Sequence, residues 1–490
     1  MDFDTIPNDI RVPLAYIEFN NTRAQAGLPA DSYTILVLGQ RLATGTVLAG
    51  VPTEILGAAQ AEQYFGRGSM LASMLAAMKK ANAYTRVVAI ALDDAEAGAA
   101  STGKLVFTGA ATQNGTLNLM VAGTQVPVGV SAGDDAEAVA AATVAAINAN
   151  TALPVTAAVN GVTAGQVDVT ARHKGEAGNT LDLRLNYYTG QLTPAGLQVA
   201  ITAMSGGTTN PDVSDAIAAM GDAWYQTIVM PYTDAANLTA LETELADRFG
   251  GVRQIDGEAF TAFRGTAAAT DTFGLGRNGL WVTCMGTSIA PHPPYLWAAV
   301  NAAVAAASLA NDPAQPLQTL ALPGILPPAQ ADQFTFAERN LQLHSGIATH
   351  KVDAGGNVLI ERQVTMYQKN AYDIADTSYL DVEKIATLSY IRFASRSRIT
   401  SKYPRHKLAG DTVKPAPSQK IVTPTILRAE LIALAVELRD DKGLIEDIEQ
   451  FKRDLVVEID PSNPDRANAS TSPNLINQLR IFAEQIQFID

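Results

Sequence analysis

One glycine-rich segment of the chain has the spacing of a dinucleotide-binding loop. Residues 274–279 read Gly-Leu-Gly-Arg-Asn-Gly and match the pattern G-x-G-x-x-G. Such a loop binds a pyrophosphate when a strand precedes it and a helix follows it, because the N-terminus of the helix supplies N–H groups to the phosphates. Here the sequence predicts a strand at residues 280–283 directly after the loop. This order does not match the dinucleotide loop, and a nucleotide-binding α/β enzyme is kept only as an alternative interpretation.

The other residues that could do chemistry lack partners at a useful spacing. The turn at residues 39–46 has five residues between its glycines and no lysine, so it does not match a phosphate loop. His344 and His350 are six residues apart, and the five histidines include no H-E-x-x-H motif. Residues 286–290 lack the last glycine of a nucleophile elbow, and Cys284 lies in an apolar run typical of an inert, buried thiol. We expect no catalytic, cofactor-binding or metal-binding residues.

The composition indicates a large folded protein. The chain has 490 residues, 47% of them hydrophobic and 17% charged, which excludes general disorder. Its single cysteine can close no internal disulfide and supplies no thiolate metal cluster. At about 100–200 residues per domain, the length predicts about three domains.

Two segments of the chain bear on targeting and membrane insertion. The N-terminus is acidic and does not resemble a secretory signal, which predicts a protein made in the cytosol. The longest uncharged apolar run is the 16 residues at 295–310, which is shorter than the ~20 residues needed to cross a bilayer. We therefore predict a buried helix there and no membrane insertion.

Short apolar runs alternate with helical patterns along much of the chain. The runs lie at residues 35–38, 87–90, 227–230 and 280–283, and the helical patterns at about 69–82, 214–224, 234–249 and 295–310. Near-continuous apolar strands that alternate with amphipathic helices predict a parallel or mixed sheet covered on both faces. This is the pattern of an α/β core.

The alternation stops between about residues 99 and 207, where seven short strand patterns surround one alanine-rich helix at about 134–149. Asn114-Gly115 and Asn160-Gly161 lie in the connections, and such pairs tolerate the positive φ angles of tight hairpins. Because a core strand resumes at residue 227, the pattern predicts a β-rich domain inserted into a loop of the core.

The C-terminal third mixes strands and helices. We predict a hairpin around residues 353–357, a long helix near 380–402, an amphipathic helix from Pro424 to about Arg439, and a strand at 455–459. This mixture predicts an α+β domain.

Both ends of the chain carry extended apolar patterns with no local partner. A single strand cannot bury its apolar side chains alone, so we expect each end to be an arm that joins a sheet elsewhere. The arm residues are Val12, Leu14, Tyr16, Ile17 and Phe19 at the N-terminus and Ile481, Phe482, Ile486 and Phe488 at the C-terminus.

One segment of this acidic chain is strongly basic. Residues 384–410 carry seven positive charges and no acidic residue, while the net charge of the whole chain is −14. Such a segment can bind an acidic protein surface or a nucleic acid, or it can be a solvated helix face that pairs with the chain's own carboxylates. Aromatic residues are too sparse there to predict a base-stacking platform. The basic strip comprises Arg392, Arg396, Arg398, Lys402, Arg405 and Lys407.

Several dispersed segments resemble the tail sheath proteins of contractile-tailed bacteriophages, specifically the Mu-like sheath family. They include PNDIRVP at 7–13, DPAQPLQTL at 312–320, VDAGGNV at 352–358, IERQVTMYQ at 360–368, TSKYPRHKL at 400–408 and FAEQIQF at 482–488. The resemblance extends over essentially the whole chain, which makes it more specific than any single motif.

The resemblance implies a structural subunit, and no enzyme. Subunits of this family stack as six-membered rings around an inner tube and contract to drive the tube through a bacterial envelope. The implied partners are further copies of the chain, the tail tube protein, and baseplate and tail terminator proteins, without direct contact to nucleic acid. The implied location is the virion, after assembly in the cytoplasm of the host. The sheath of a genome-less injection particle or secretion system is an alternative of the same class.

The predicted organisation has five parts. The resemblance implies that both arms add strands to neighbouring subunits, that the inserted domain lies outward, and that the C-terminal domain lies next to the tube. We predict that the basic strip faces the tube or a neighbouring subunit. The parts are an N-terminal arm at 1–25, an α/β core at 26–98 and 208–330, a β-rich insertion at 99–207, an α+β domain at 331–478 and a C-terminal arm at 479–490.

Overall fold

The computed structural model describes residues 33–416 and 419–489. The described chain packs into two compact units, one formed by residues 33–389 together with 480–489 and the other by residues 390–479. The predicted N-terminal arm, with Val12, Leu14, Tyr16, Ile17 and Phe19, lies outside the described residues. The predicted fold class, an α/β core with a β-rich insertion followed by an α+β region, is confirmed.

The first unit begins with the centre of a sheet. Strand β1 has the sequence TILVLGQ and is buried along its whole length, as expected for a strand covered on both faces. It pairs in parallel with β3, and β2 pairs antiparallel with the other side of β3. The elements are β1 (Thr34–Gln40), β2 (Thr53–Glu54), α1 (Ala58–Phe65), α2 (Met70–Ala81) and β3 (Arg86–Leu92).

The insertion follows β3 and folds into two small antiparallel sheets and one helix. Its sheets have the orders β10-β4-β8-β7 and β6-β5-β9. Along β8, buried and partly exposed residues alternate, so one face packs inward. The elements are β4 (Ala100–Gly109), β5 (Gly115–Val121), β6 (Thr124–Val130), α3 (Ala136–Ala149), β7 (Val155–Val159), β8 (Gln166–Lys174), β9 (Leu183–Leu185) and β10 (Leu197–Ser205).

The tightest turn of the insertion is not at an Asn-Gly pair. Ala122 and Gly123 join β5 to β6, and both have positive φ angles, 48° and 80°. Asn114-Gly115 leads from one small sheet to the other, and Asn160-Gly161 begins a longer hairpin loop between β7 and β8. Neither pair has a residue with positive φ, so neither forms the tight hairpin turn that such pairs favour.

The core sheet is completed after the insertion. Its six strands have the order β13-β12-β11-β1-β3-β2, and all neighbours are parallel except β2. The sequence patterns indicated every strand of the parallel part except β12. The elements are α4 (Ser214–Met220), β11 (Thr227–Val229), α5 (Ala235–Phe249), β12 (Glu258–Phe263), α6 (Ala267–Leu275), β13 (Val282–Gly286) and α7 (Pro294–Asn311).

The apolar run at residues 295–310 forms most of α7. Twelve of the 18 residues of this helix are buried, and it packs against α2 and β12, so the predicted buried helix is confirmed. Among the described residues, no helix is both long enough and apolar enough to cross a bilayer.

After α7 the chain forms a short helix, a hairpin whose buried side chains join the core of the first unit, and a long helix. Thr335 and Glu338 form a capping box at the start of α8. The predicted hairpin is present, and its turn is closed by Asp353, whose side chain accepts hydrogen bonds from the N–H groups of Gly355 and Asn357. The elements are α8 (Phe336–His344), β14 (Thr349–Val352), β15 (Val358–Arg362) and α9 (Val382–Lys402).

The second unit is built around the predicted amphipathic helix α10. Thr423 caps this helix and Pro424 occupies its first turn, while Leu427, Leu431 and Leu434 are buried on one face. The elements after α9 are β16 (Lys407–Leu408), β17 (Ile421–Val422), α10 (Pro424–Asp440), β18 (Ile445–Glu446), α11 (Ile448–Asp454), β19 (Val456–Asp460), β20 (Asn463–Ser470) and β21 (Asn474–Leu475).

Candidate functional site

The glycine-rich segment at 274–279 does not form a nucleotide loop. It lies at the C-terminal end of α6, and the side chain of Gln368 donates hydrogen bonds to the carbonyl oxygens of Gly274 and Arg277, both at 2.9 Å. A Cβ atom on Gly274 would lie 2.2 Å from the carbonyl oxygen of Ser345. The segment thus ends a helix and leads into β13, the reverse of the strand–loop–helix order that places a helix N-terminus at a phosphate.

Three of the nucleophile and histidine candidates are buried in the first unit. Cys284 is fully buried in β13, and burial raises the pKa of its thiol. His350 is also buried, its Nδ1 donates to the carbonyl oxygen of Gly286 at 3.0 Å, and burial lowers its pKa to about 4. Ser288 Oγ donates to the carbonyl oxygen of Asp332. Among the described residues, no group of three or more His, Cys, Asp or Glu side chains could hold a metal ion.

The large apolar side chains of the C-terminal arm are exposed to solvent. Ile481, Phe482, Ile486 and Phe488 have between 79% and 83% of their surface exposed. Residues 481–489 form no helix or strand and have no strand partner in the described chain. Such a run of exposed large apolar side chains is typical of a surface that another molecule covers.

The basic strip separates into two groups. Arg398 is buried and makes ion pairs with Glu430, at 2.9 Å, and with Glu437. Lys402 also pairs with Glu430, at 2.7 Å. Burial would raise the pKa of the Glu430 carboxyl, but Lys402 and Arg398 hold that pKa below its ordinary value.

The remaining members of the strip face outward. Arg396, Arg405 and Lys407 are exposed, and Arg392 is partly exposed. Two of the six cations therefore pair with the chain's own carboxylates, while three present their charge to the solvent.

A second feature of the same unit was not foreseen. Strands β19 and β20 form a two-stranded antiparallel hairpin whose residues are mostly exposed. In the described chain neither outer edge of this hairpin is covered by a further strand. The pattern of β20 hid it, because Asn463, Pro464 and Asp465 are poor strand formers. The turn residues Asp460 and Pro461 after an apolar run were the available signal.

Comparison with known proteins decides the family. Residues 206–366 match the family model of the phage tail sheath protein central domain, and residues 375–489 match that of the phage tail sheath C-terminal domain. A Mu-like prophage FluMu tail sheath protein from Haemophilus influenzae is 47% identical over 489 residues, which cover all of this chain and 99% of the relative. The chain belongs to the phage tail sheath family.

Solved structures of tail sheath proteins are also similar to this sheath protein. A sheath tail protein from Desulfitobacterium hafniense is 15% identical, with a TM-score of 0.48, over 94% of this chain and 100% of that one. One from Listeria innocua is 14% identical, with a TM-score of 0.49, over 93% of each chain. The sheath complex of an extracellular contractile injection system in its contracted state is 10% identical, with a TM-score of 0.47, over 98% of each chain.

Proposed function

We propose that this sheath protein polymerises as stacked six-membered rings around a tail tube and contracts to drive that tube through a bacterial envelope. The observation that carries the proposal is the 47% identity, over the whole chain, to a Mu-like tail sheath protein. Its partners are then further copies of itself, the tube protein, and the baseplate and terminator proteins. Its place is the virion, after assembly in the host cytoplasm.

The exposed C-terminal arm supports self-assembly. An extended chain rises about 3.3 Å per residue, so the nine residues at 481–489 reach roughly 30 Å. An arm of this kind can add a strand to the sheet of a neighbour, and each added backbone hydrogen bond contributes about 0.5–1.5 kcal/mol. Several bonds in each arm, repeated through a lattice, hold subunits together while they rotate.

The hairpin of β19 and β20 is the acceptor that we propose for these arms. An isolated two-stranded hairpin is marginally stable in water, and its open edges are ready to accept further strands. The arm supplies one strand from a neighbouring copy, and the apolar residues at 12–19 supply the candidate for a second. A sheet built from several copies would then connect neighbouring subunits.

Contraction by this mechanism uses no chemical step. We propose that the extended lattice is metastable and that contraction adds contacts between subunits, with a difference of a few kcal/mol per subunit that sums along the tail. No cofactor, metal or catalytic residue is needed. The glycine-rich segment, which follows a helix instead of preceding one, agrees with a mechanism that needs no nucleotide.

We also propose that the outward members of the basic strip contact the tube or a neighbouring copy. Residues 341–490 have a net charge of −1, while residues 1–340 have a net charge of −13. An acidic partner surface is therefore repelled less by the C-terminal third. Arg396, Arg405 and Lys407 are the cations that are free to face it.

Removal of the arm tests the proposal. A variant that ends at Arg480 should keep the circular dichroism and thermal unfolding of the full chain, because the deleted side chains are exposed. It should stay small in a sedimentation experiment in which the full chain forms large assemblies. As a matched control, Gln485→Ala with Gln487→Ala should still assemble, whereas Phe482→Ala with Phe488→Ala should not. Equal assembly of the full and the shortened chain would contradict the role of the arm.

A further inference from the structure

The C-terminal arm begins at a buried ion pair. Arg480 Nη2 lies 2.9 Å from Glu383 Oε2 and 3.4 Å from Asp381 Oδ1. The Arg480 side chain is only 12% exposed, while the next residue, Ile481, is 81% exposed. An ion-paired, largely buried side chain is therefore followed directly by an exposed segment.

The acidic side of this pair is fixed by the fold. Glu383 lies in the first turn of α9 and is fully buried, and its Oε1 accepts the N–H of Leu317 at 2.8 Å. Asp381 is held by Arg362 through two hydrogen bonds, at 2.9 and 3.1 Å. Both acids are thus in place independently of the arm, and Arg480 is the member that comes from it.

The burial of Glu383 makes separation of the pair unfavourable. Burial raises the pKa of Glu383, while the charge of Arg480 and the N–H of Leu317 lower it. A buried carboxylate that loses its cation is left without compensation for its lost hydration, so breaking such a pair is strongly disfavoured. One nitrogen of the guanidinium, Nη2, faces both acids, so this single cation offsets the charge of both carboxylates.

We propose that Arg480 and Glu383 form a clamp that fixes the root of the C-terminal arm to the body of its own subunit. The proposal rests on the proposed function, in which the arm joins a neighbouring copy. Arg480 is then a positioning residue, because it sets the point from which the arm extends and therefore the volume that its tip explores. A defined root raises the effective concentration of the arm at its acceptor. Tension on the arm is passed to α9 through the ion pair.

Proteolysis of the full chain tests the clamp without assembly. Trypsin cleaves after Arg and Lys, and residues 481–490 contain neither, so cleavage at Arg480 releases one decapeptide that mass spectrometry quantifies. In the monomeric fraction we expect slow release from the unmodified protein. Release should be at least about tenfold faster from Glu383→Gln, which removes the charge and keeps the shape of the side chain.

A matched control uses the same substitution at another ion pair of this unit. Glu242 pairs with Arg277 at 2.7 Å, and Glu242→Gln should leave release of the decapeptide unchanged. A second control compares two sites in the unmodified protein, where cleavage after the exposed Arg405 should be much faster than cleavage after Arg480. This comparison of two cleavage sites tests the clamp even if Glu383→Gln does not fold. Equal cleavage at the two sites, or equal release from a folded Glu383→Gln variant, would overturn the clamp.

Assembly separates the clamp from the function on which it rests. If the clamp acts as proposed, Glu383→Gln should need a several-fold higher subunit concentration to form sedimenting assemblies, and Arg480→Lys, which keeps the charge, should restore part of the difference relative to Arg480→Met. Absence of assemblies from the unmodified protein would count against the proposed function. Normal assembly with an unprotected Arg480 would count against the clamp alone.

Discussion

Gly123 packs directly against the ring of His292. A Cβ atom on Gly123 would lie 2.2 Å from His292 Cδ2, which is closer than any real contact. Gly123 belongs to the β5–β6 turn of the insertion, and His292 precedes α7 of the core. Nδ1 of His292 in turn accepts the N–H of Leu326 at 3.0 Å. The insertion therefore packs against the core through a contact that has room only for glycine.

The first prediction concerns the contact between Gly123 and His292. Gly123→Ala should destabilise the protein by about 2 kcal/mol or more, because it adds a clash to the strain of a positive φ angle. The matched control is Gly206→Ala, which has the same φ of 80° and no atom within 4 Å of the added Cβ. Urea unfolding should show a clearly larger loss for Gly123→Ala. Equal losses would mean that the contact with His292 does not matter.

The second prediction separates the buried cation of the basic strip from its exposed neighbour. Arg398→Met should destabilise the unit formed by residues 390–479 by about 3 kcal/mol, because Glu430 and Glu437 lose their buried partner. Lys402→Met removes a more exposed pair with Glu430 and should cost at most about 1 kcal/mol. Thermal or urea unfolding of the two variants gives the comparison, and a cost at Lys402 equal to that at Arg398 would contradict it.

The third prediction is a loss of stability in mild acid. Burial lowers the pKa of His350 to about 4 in the folded protein, whereas the unfolded chain takes up its proton near pH 6.5. The stabilising effect of the neutral ring is therefore present above pH 6.5 and is lost as the pH falls toward 4, by roughly 3 kcal/mol in all.

Urea unfolding at several pH values between 7 and 4.5 measures this loss. His350→Gln cannot take up a proton and should reduce the slope of stability against pH, even if it lowers stability at pH 7. Substitution of the exposed His344 by Gln serves as the control. An unchanged slope in His350→Gln would show that another group causes the acid sensitivity.

The fourth prediction concerns the outward cations. The triple charge reversal of Arg396, Arg405 and Lys407 to Glu should leave the fold intact, because these side chains are exposed. It should weaken co-assembly with the tube protein, measured by co-sedimentation, because an acidic partner is then repelled. The weakening should decrease as salt is added.

The control for that experiment reverses three other exposed cations of the same unit. Lys414, Lys442 and Arg453 give the same change in net charge at other places. If both triple variants show equally weakened co-sedimentation with the tube protein, the change in net charge causes the effect and the position of the strip has no specific role. Normal tails assembled with the first variant would contradict a contact between the basic strip and the tube.

Sequence patterns predicted the parts of the fold that local physics determines. The fully apolar β1, the alanine-rich α7 and the capped α10 each carry their own periodicity. Strand β12 was missed because Glu258 and Thr261 interrupt its apolar run, although both side chains are buried. The turn at Ala122 and Gly123 was missed because alanine rarely adopts positive φ.

The candidate site was predictable to a smaller extent. The exposed apolar residues at 481–488 were evident from their pattern. The division of the basic strip was not, because Arg398 finds Glu430 and Glu437 at sequence separations of 32 and 39 residues, which no local pattern reveals. The anchoring of Arg480 by Glu383 is likewise a product of tertiary folding.

Electron microscopy of the purified full-length protein in negative stain tests the central claim most directly. A contractile sheath subunit whose arms join neighbouring copies should assemble on its own into hollow cylinders with six-fold symmetry. The shortened chain that ends at Arg480, prepared in the same way, should give isolated particles. A full-length protein that remains monodisperse with its arms intact would contradict the account.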